Sequence, residues 1–157
     1  MNTDTPAARE ALRQFRVIFG AVRQHYKAIE KACGVSGAQI WAMAALHKNP
    51  GMRVSELAQA LSIHASTASN LLDKIEKAGL IRRERNSVDQ RVVRLYLTAD
   101  GEKALIKAPQ PLTGILTHAI GQLPDTALVR LNQDLGALIA HMGAINSQHA
   151  QKPLSEL

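Results

Sequence analysis

The stretch that decides the fold runs from Val54 to Gly101 and reads VSELAQALSIHASTASNLLDKIEKAGLIRRERNSVDQRVVRLYLTADG. Its first half contains two short helical patterns, Val54 to Leu61 and His64 to Ala78, in which apolar residues recur every three or four positions. Two short amphipathic helices joined this closely predict a helix-turn-helix. Gly79 suits the position that ends the second helix, because glycine adopts the left-handed conformation without strain.

The second half changes from the helical period to alternation. Leu80 to Arg85 and Arg91 to Thr98 read as two extended segments, and in the later one Val93, Leu95 and Leu97 alternate with more polar residues. The five residues between the segments are rich in turn formers. The sequence therefore predicts a β-hairpin directly after the helix-turn-helix.

Long helical patterns flank this unit. Apolar spacing predicts one helix over residues 6–33, and a second begins after Ser36, which can cap it, and stops at Asn49-Pro50-Gly51. After Thr98 an apolar stripe continues to Leu123, with Pro109 and Pro111 expected to kink or interrupt it.

A last helix is predicted from Pro124 onward, with apolar residues at heptad spacing: Leu128, Leu131, Leu135, Leu138, Met142 and Ile145. This seam spans too few turns to stand alone, so it should pack against another helix of the same subunit or of a partner. The tail from Ser147 is polar and is expected to fray.

Length and composition predict a single domain, residues 1–157, with enough apolar residues (46%) for a core. The net charge of +6 suits a polyanionic partner, either duplex DNA or an anionic membrane surface. Aromatic residues make up only 3%, which argues against single-stranded nucleic-acid binding by base stacking. No apolar run suggests a membrane span and no leader pattern is visible, so a cytoplasmic location without membrane association is expected.

The predicted hairpin concentrates the charge. Five arginines against two carboxylates in residues 82–94 supply half of the net charge, which favours duplex DNA over a membrane. An arginine at a hairpin tip can enter the minor groove. Asp89 lies two residues before Arg91 and is expected to brace its guanidinium. A solvated run of charges is the alternative reading.

In a helix-turn-helix the second helix presents its N-terminal half to the major groove. Here that half carries short polar side chains and, one turn later, a lysine: Ser66, Thr67, Ser69, Asn70 and Lys74. Such groups can hydrogen-bond bases or phosphates, although they equally suit an ordinary wet helix surface.

These residues carry a resemblance to the winged helix-turn-helix of the MarR family of transcriptional regulators. The matching pieces are Asp73 to Ile81 (DKIEKAGLI), the Asp89-Gln90-Arg91 of the wing, and Leu97-Thr98 with Gly101. The flanking helices extend the similarity over nearly the whole chain. The resemblance implies a mainly α fold with a small β-hairpin wing and with N- and C-terminal dimerisation helices.

The resemblance further implies a homodimer that binds a pseudo-palindromic operator on double-stranded DNA and represses or activates transcription, a repressor being expected. Residues 36–98 would form the DNA-binding lobe, and 6–33 with 99–146 the helical dimerisation region. Ser66, Thr67 and Asn70 would face the major groove, and Arg91 would reach the minor groove. Lys74, Arg83 and Arg85 would contact phosphates.

The resemblance also implies release from DNA by a signal near the dimerisation helices, and three kinds of signal are possible. A small organic anion or phenol is favoured, in a cleft that His25, Trp41 and His47 could line, although Trp41 also reads as an ordinary core residue. Thiol sensing through Cys33 is the alternative, against its reading as a plain buried residue. Metal binding is not expected because the six histidines lack ligand spacing.

No cofactor is expected. An enzyme is not expected either, since no nucleophile with an adjacent base, glycine-rich phosphate loop or catalytic carboxylate pair is visible. A non-specific architectural DNA-binding protein is the remaining rival, because it would share the basic wing without reading bases.

Overall fold

The computed structural model describes residues 4–143 and 145–157, and the predicted mainly helical fold with one antiparallel hairpin is confirmed. The predicted ranges 1–157 and 99–146 include residues 1–3 and 144, which lie outside the described residues. The elements are α1 (Pro6–Cys33), α2 (Gly37–Lys48), α3 (Val54–Ala60), α4 (Ala65–Lys77), β1 (Ile81–Arg85), β2 (Val93–Leu97), α5 (Ala99–Lys107), α6 (Ile115–Gly121) and α7 (Asp125–His141).

The first two helices begin and end as the sequence predicts. The Thr5 hydroxyl accepts from the Ala8 N–H at 3.1 Å, and Gly34 ends α1 in the left-handed conformation at φ 70°. Ser36 starts α2 through a capping box with Gln39, in which each side chain accepts a backbone N–H of the other residue. These caps satisfy N–H groups that a helix start leaves without partners.

The core lies around α2, which is apolar on most of its surface. Ile40, Met43 and Leu46 from α2 are buried with side chains from α3, α4 and β2, among them Leu57, Leu72, Ile75 and Leu95. This packing fixes the helix-turn-helix of α3 and α4. α3 begins as predicted and ends one residue earlier, and α4 is one residue shorter than predicted at each end.

A third backbone segment pairs with the hairpin, which the sequence did not predict. β1 and β2 pair antiparallel with Ile81 opposite Leu97, and Met52 bridges Leu95 on the other side of β2. The Leu95 N–H donates to the Met52 carbonyl at 2.9 Å, and the Gly51 N–H donates to the Leu95 carbonyl at 2.9 Å. The loop between α2 and α3 thereby holds the base of the hairpin, although it is too short to show a strand pattern.

One junction joins the end of α4, the start of β1 and the start of α5. The Thr98 hydroxyl donates to the Gly79 carbonyl at 2.7 Å and accepts from the Gly101 N–H at 3.1 Å, and the Thr98 N–H donates to the Leu80 carbonyl at 3.0 Å. A Cβ at Gly101 would lie 2.1 Å from the Leu80 oxygen, so only glycine fits there. This explains physically why threonine and glycine stand at these two positions.

The C-terminal helices depart from the prediction in part. The stripe after Thr98 is interrupted around Pro109 and Pro111, as expected, and becomes α5 and α6. The last helix is shorter than predicted: α7 ends at His141, Gly143 has a left-handed φ of 80°, and Ile145 lies outside the helix. Glycine favours such helix ends. Within the described residues, α7 buries no side chain against the rest of its own chain.

The predicted fraying of the tail is wrong. Residues 147–157, which we call the C-terminal strap, form two short 3₁₀ turns (Ser147–Gln151 and Leu154–Glu156) with Pro153 buried between them. The Ser155 hydroxyl accepts from the Ala38 N–H at 3.0 Å, and the Gln151 carbonyl accepts from the His64 N–H at 3.2 Å. The strap docks because it satisfies N–H groups at two helix starts.

Candidate nucleic-acid interface

The recognition helix α4 has one buried face and one exposed polar face. Ala68, Leu71, Leu72 and Ile75 are buried in the core at the spacing of a helical stripe. The predicted DNA-contacting residues lie outside that stripe: Ser66, Asn70 and Lys74 are exposed, and Thr67 and Ser69 are half-buried. The helix therefore presents short hydroxyl, amide and ammonium groups to a partner.

His64 lies at the start of α4. It occupies the N-cap position, but its side chain caps no backbone N–H; instead its Nδ1 lies 3.2 Å from the Ser66 hydroxyl oxygen. The Ser66 hydroxyl is thus oriented by a neighbouring ring, while the Asn70 side chain one turn on has no hydrogen bond within the described residues.

Two arginines of the hairpin make contacts within the lobe. The Arg82 guanidinium lies 4.7 Å from the Tyr96 ring centre and pairs with Glu84. Arg94 donates to the Gly51 carbonyl at 2.9 Å. These contacts stiffen the hairpin and fix it to the α2–α3 loop, so the cluster of charge seen in the sequence is in part structural.

Arg83 ties β1 to the recognition helix. Its Nη2 donates to the Asp73 carboxylate at 2.6 Å, and its Nε lies 3.4 Å from a Glu76 carboxylate oxygen. Its side chain is 29% exposed, and the buried Nε has no hydrogen bond of good geometry. The Arg83 donors face two carboxylates of α4, which makes Arg83 a brace between wing and helix. The phosphate contact predicted for Arg83 stays a prediction.

The wing tip is organised by two side chains that accept backbone N–H groups. Asn86 Oδ1 accepts from Val88 at 2.8 Å, and Asp89 Oδ1 accepts from the Arg91 backbone N–H at 3.0 Å. Asparagine and aspartate are favoured in turns because of this local bond. Arg85 Nη1 donates to the Gln90 carbonyl at 3.0 Å, which closes the tip from the strand side.

The predicted role of Asp89 therefore changes. Its carboxylate holds the backbone of Arg91 and not the guanidinium, because a carboxylate two residues back reaches the N–H in a turn of this kind. The Arg91 side chain is exposed, and its guanidinium makes no hydrogen bond or ion pair within residues 4–143 and 145–157. Its donors face solvent at the end of a hairpin braced to α4.

The three predicted effector residues do not meet in one cavity. His25 Nε2 lies 3.1 Å from the Pro111 carbonyl, His47 Nδ1 lies 2.8 Å from a Glu102 carboxylate oxygen, and Trp41 packs against the core. Each is thus engaged in a separate contact, and the three do not share one cavity.

A groove of about 800 Å³ lies elsewhere, between α1 and the C-terminal strap. It combines basic and apolar side chains, among them Arg16, Phe19, Arg23, Tyr26, Lys27 and Leu154. Burial raises the pKa of the Tyr26 hydroxyl, so this group stays protonated and able to donate. We refer to this space as the α1 groove; sequence reasoning missed it because the strap supplies one wall.

Cys33 lies half-buried at the end of α1. Its thiol donates to the Ala104 carbonyl at 3.5 Å. Burial raises the pKa of the Cys33 thiol, and the nearby Lys107 opposes this to a smaller extent. These surroundings favour the protonated thiol, which is the less reactive form.

Within residues 4–143 and 145–157, no group of three or more His, Cys, Asp or Glu side chains is arranged to hold a metal ion. None of the helices in the described part of the chain has the length and apolar content that crossing a membrane requires.

Comparison with known proteins places the lobe in a family. The model of the MarR family matches residues 35–93, which contain α2 to α4, β1 and the tip of the hairpin. The putative transcriptional regulatory protein for the hcr operon of Thauera aromatica is 30% identical over 133 residues, covering 85% of this chain and 76% of that protein. The chain belongs to the MarR family.

Two further similarities support the assignment. The HTH-type transcriptional repressor MdtR of Bacillus subtilis (strain 168) is 36% identical over 81 residues, 52% of this chain; the match spans 50% of MdtR, about half its length. Streptococcus pneumoniae FabT, solved in complex with DNA, shares the fold with a TM-score of 0.58 at 18% identity, covering 85% of this chain and 95% of FabT. MdtR and the Thauera aromatica protein are named as transcriptional regulators, and the prediction that the chain is not an enzyme is confirmed.

Proposed function

We propose that this protein is a transcriptional regulator, and specifically a repressor, that binds a defined double-stranded DNA sequence. One observation carries the proposal: α4 has an exposed polar face, and the Arg91 guanidinium, which has no partner among residues 4–143 and 145–157, lies on a wing that Arg83 holds to α4. Short polar side chains suit base edges in the major groove, and an arginine at a hairpin tip suits the minor groove.

The residues divide by role. The major groove is contacted, at base edges or at phosphates, by the polar side chains of α4: Ser66, Thr67, Ser69 and Asn70. Arg91 enters the minor groove. Lys74 and Arg85 contact phosphates. Arg85 also keeps its hydrogen bond to the Gln90 carbonyl, which closes the tip of the wing. Asp89 acts indirectly by shaping the turn. The names of MdtR, a repressor, and of FabT, solved with DNA, support the proposal.

The protein acts as a homodimer in this proposal, with 36–98 as the DNA-binding lobe and 6–33 with 99–146 as the dimerisation region. No α7 side chain is fully buried among the described residues, and the exposed apolar side chains of the two helical regions include Phe19 (68% exposed) and Met142 (64% exposed). An exposed apolar surface of this kind marks an interface. Two lobes related by a two-fold axis would contact half-sites about 34 Å apart.

The α1 groove is the proposed effector site. Among the described side chains, three cations, Arg16, Arg23 and Lys27, line it with one carboxylate side chain, Glu30, and Phe19 adds an apolar wall. This combination complements a small organic anion or a phenol, and the donor on Tyr26 complements either. The groove replaces the cleft of His25, Trp41 and His47 as the proposed location.

Selection from a pool of random duplexes tests the DNA-binding proposal. Purified full-length chain is expected to enrich one motif with two inverted half-sites, because a symmetric dimer reads the same bases twice. Recovery of unrelated sequences after repeated rounds would favour the non-specific architectural alternative. Benzoate and phenol, added to the enriched complex, are expected to release DNA if the groove binds an organic anion or a phenol.

A further inference from the structure

The C-terminal strap lies against the starts of two helices that matter for DNA binding. Its Gln151 carbonyl accepts the His64 N–H at the start of α4, and its Ser155 hydroxyl accepts the Ala38 N–H at the start of α2. Pro153 is buried between the two contacts. The C-terminal strap, which follows the proposed dimerisation region in the chain, thus contacts the DNA-binding lobe.

The strap also covers part of the face that the proposed function assigns to DNA. Thr67, Asn70 and Lys74 of α4 line a cavity of about 200 Å³ with Lys152 and Glu156 of the strap. A Glu156 carboxylate oxygen lies 3.9 Å from the Lys74 ammonium nitrogen. An anionic oxygen therefore lies beside the lysine proposed to bind a phosphate.

We propose that the strap and duplex DNA compete for the recognition helix, so that the docked strap is an autoinhibitory contact. This inference rests on the proposed function. A carboxylate and a phosphate offer the same kind of acceptor to an ammonium group, and both cannot occupy the flank of α4 beside Lys74. An exposed pair at this distance is weak and screened by salt, so a duplex with many phosphates can displace it.

The strap connects this contact to the α1 groove. Leu154, Ser155 and Leu157 line the groove, while Lys152 and Glu156 face α4. A molecule in the groove touches the strap only while the strap is docked, so its binding favours the docked state. Since a ligand shifts an equilibrium toward the state it binds better, occupation of the groove weakens DNA binding.

Shortening the chain tests the competition. A chain ending at Asn146 is compared with the full chain by fluorescence anisotropy, on a duplex enriched by the full chain. Loss of the strap is expected to lower the Kd about fivefold, which corresponds to a recognition helix that is free about one-fifth of the time. Light scattering checks that both forms have the same oligomeric state.

Point variants test the same idea without removing the strap. Glu156→Gln is expected to lower the Kd about twofold, with an effect that shrinks as salt rises, because the ion pair with Lys74 is screened. Asp125→Asn removes an equal charge from the exposed start of α7, away from α4, and is expected to leave the Kd unchanged. Hydrogen exchange in residues 147–157 is expected to speed up when the duplex is added.

These experiments distinguish a failure of the strap proposal from a failure of the proposed DNA-binding function. If the full and shortened chains bind the enriched duplex with the same Kd, with unchanged assembly, the strap does not compete and the inference is overturned. An equal effect of Glu156→Gln and Asp125→Asn, or strap amides that stay protected in the DNA complex, also overturns it. If neither chain distinguishes the enriched duplex from a scrambled one, the proposed function itself fails.

Discussion

Arg83 and Asp73 connect the wing to the recognition helix: the guanidinium on β1 donates to the carboxylate on α4 at 2.6 Å. The two elements that would enter neighbouring grooves are thus held at a fixed separation by one ion pair, with Glu76 as a second carboxylate at 3.4 Å. A brace of this kind lets a small hairpin keep its position relative to a helix on which it packs only at its base.

Arg83→Ala is expected to weaken binding to the enriched duplex by up to about 1 kcal/mol, because the wing loses its preorganisation and an ion pair of this kind contributes no more than that. The slope of log K against log salt should stay unchanged, since no phosphate contact is lost. Lys74→Ala should reduce that slope by about one contact. A slope change for Arg83→Ala equal to that for Lys74→Ala would restore the phosphate role predicted from the sequence.

Arg91→Ala is expected to weaken operator binding by about 1 to 3 kcal/mol, as loss of a groove-entering arginine does. Asp89→Ala should weaken it as well, because the Arg91 N–H loses its acceptor and the tip loses its shape. Asp89→Asn keeps the accepting oxygen and serves as the matched control, with near-normal affinity in the same titration. Normal affinity in Arg91→Ala would remove the wing from the interface.

Gly101→Ala is expected to lower the free energy of unfolding by about 1 to 3 kcal/mol, since its Cβ would lie 2.1 Å from the Leu80 carbonyl oxygen and the backbone would have to shift. Denaturant unfolding at one fixed protein concentration measures the change. Gly121→Ala is the control, because nothing lies within 4 Å of a Cβ there. Equal stability of the two variants would contradict the junction described above.

Cys33 is expected to react slowly at neutral pH. Its pKa is raised by burial, so the neutral thiol predominates, and the thiolate forms only as the pH rises above the ordinary range for cysteine. Alkylation by iodoacetamide, followed by mass spectrometry, should therefore be slower than for free cysteine at pH 7 and accelerate toward alkaline pH. Peroxide that releases DNA from the unmodified chain but not from Cys33→Ser would instead support thiol sensing.

Leu138→Glu is expected to dissociate the dimer, because it places a charge in the apolar seam of α7 where the partner would pack. Sedimentation or light scattering measures the mass. Gln133→Glu adds the same charge on the opposite face of α7 and should leave the mass unchanged. A monomeric parent chain at micromolar concentration would exclude the proposed assembly.

The order of the helices and the hairpin was predictable because apolar periodicity and caps such as Ser36, Thr98 and Gly79 act locally. The total charge of the wing was predictable, but not which of its arginines bind within the protein and which face solvent. Whether an arginine binds DNA or a neighbouring carboxylate depends on three-dimensional separation, which placed Asp73 within reach of Arg83.

The strap was not predictable for a related reason. Residues 147–157 have little apolar periodicity, and their docking depends on N–H groups of Ala38 and His64 that are more than eighty residues away. The same dependence on distant contacts hid the α1 groove, since α1 alone shows only a row of cations beside apolar side chains.

The central claim is that the lobe reads sequence, and a ratio of two affinities tests it most directly. The full chain is titrated at one salt concentration against the enriched duplex and against a scrambled duplex of equal composition. The account predicts that the enriched duplex binds at least about a thousandfold more tightly, the lower range for specific regulators. A ratio near one would contradict it and would leave a basic, non-specific DNA-binding protein.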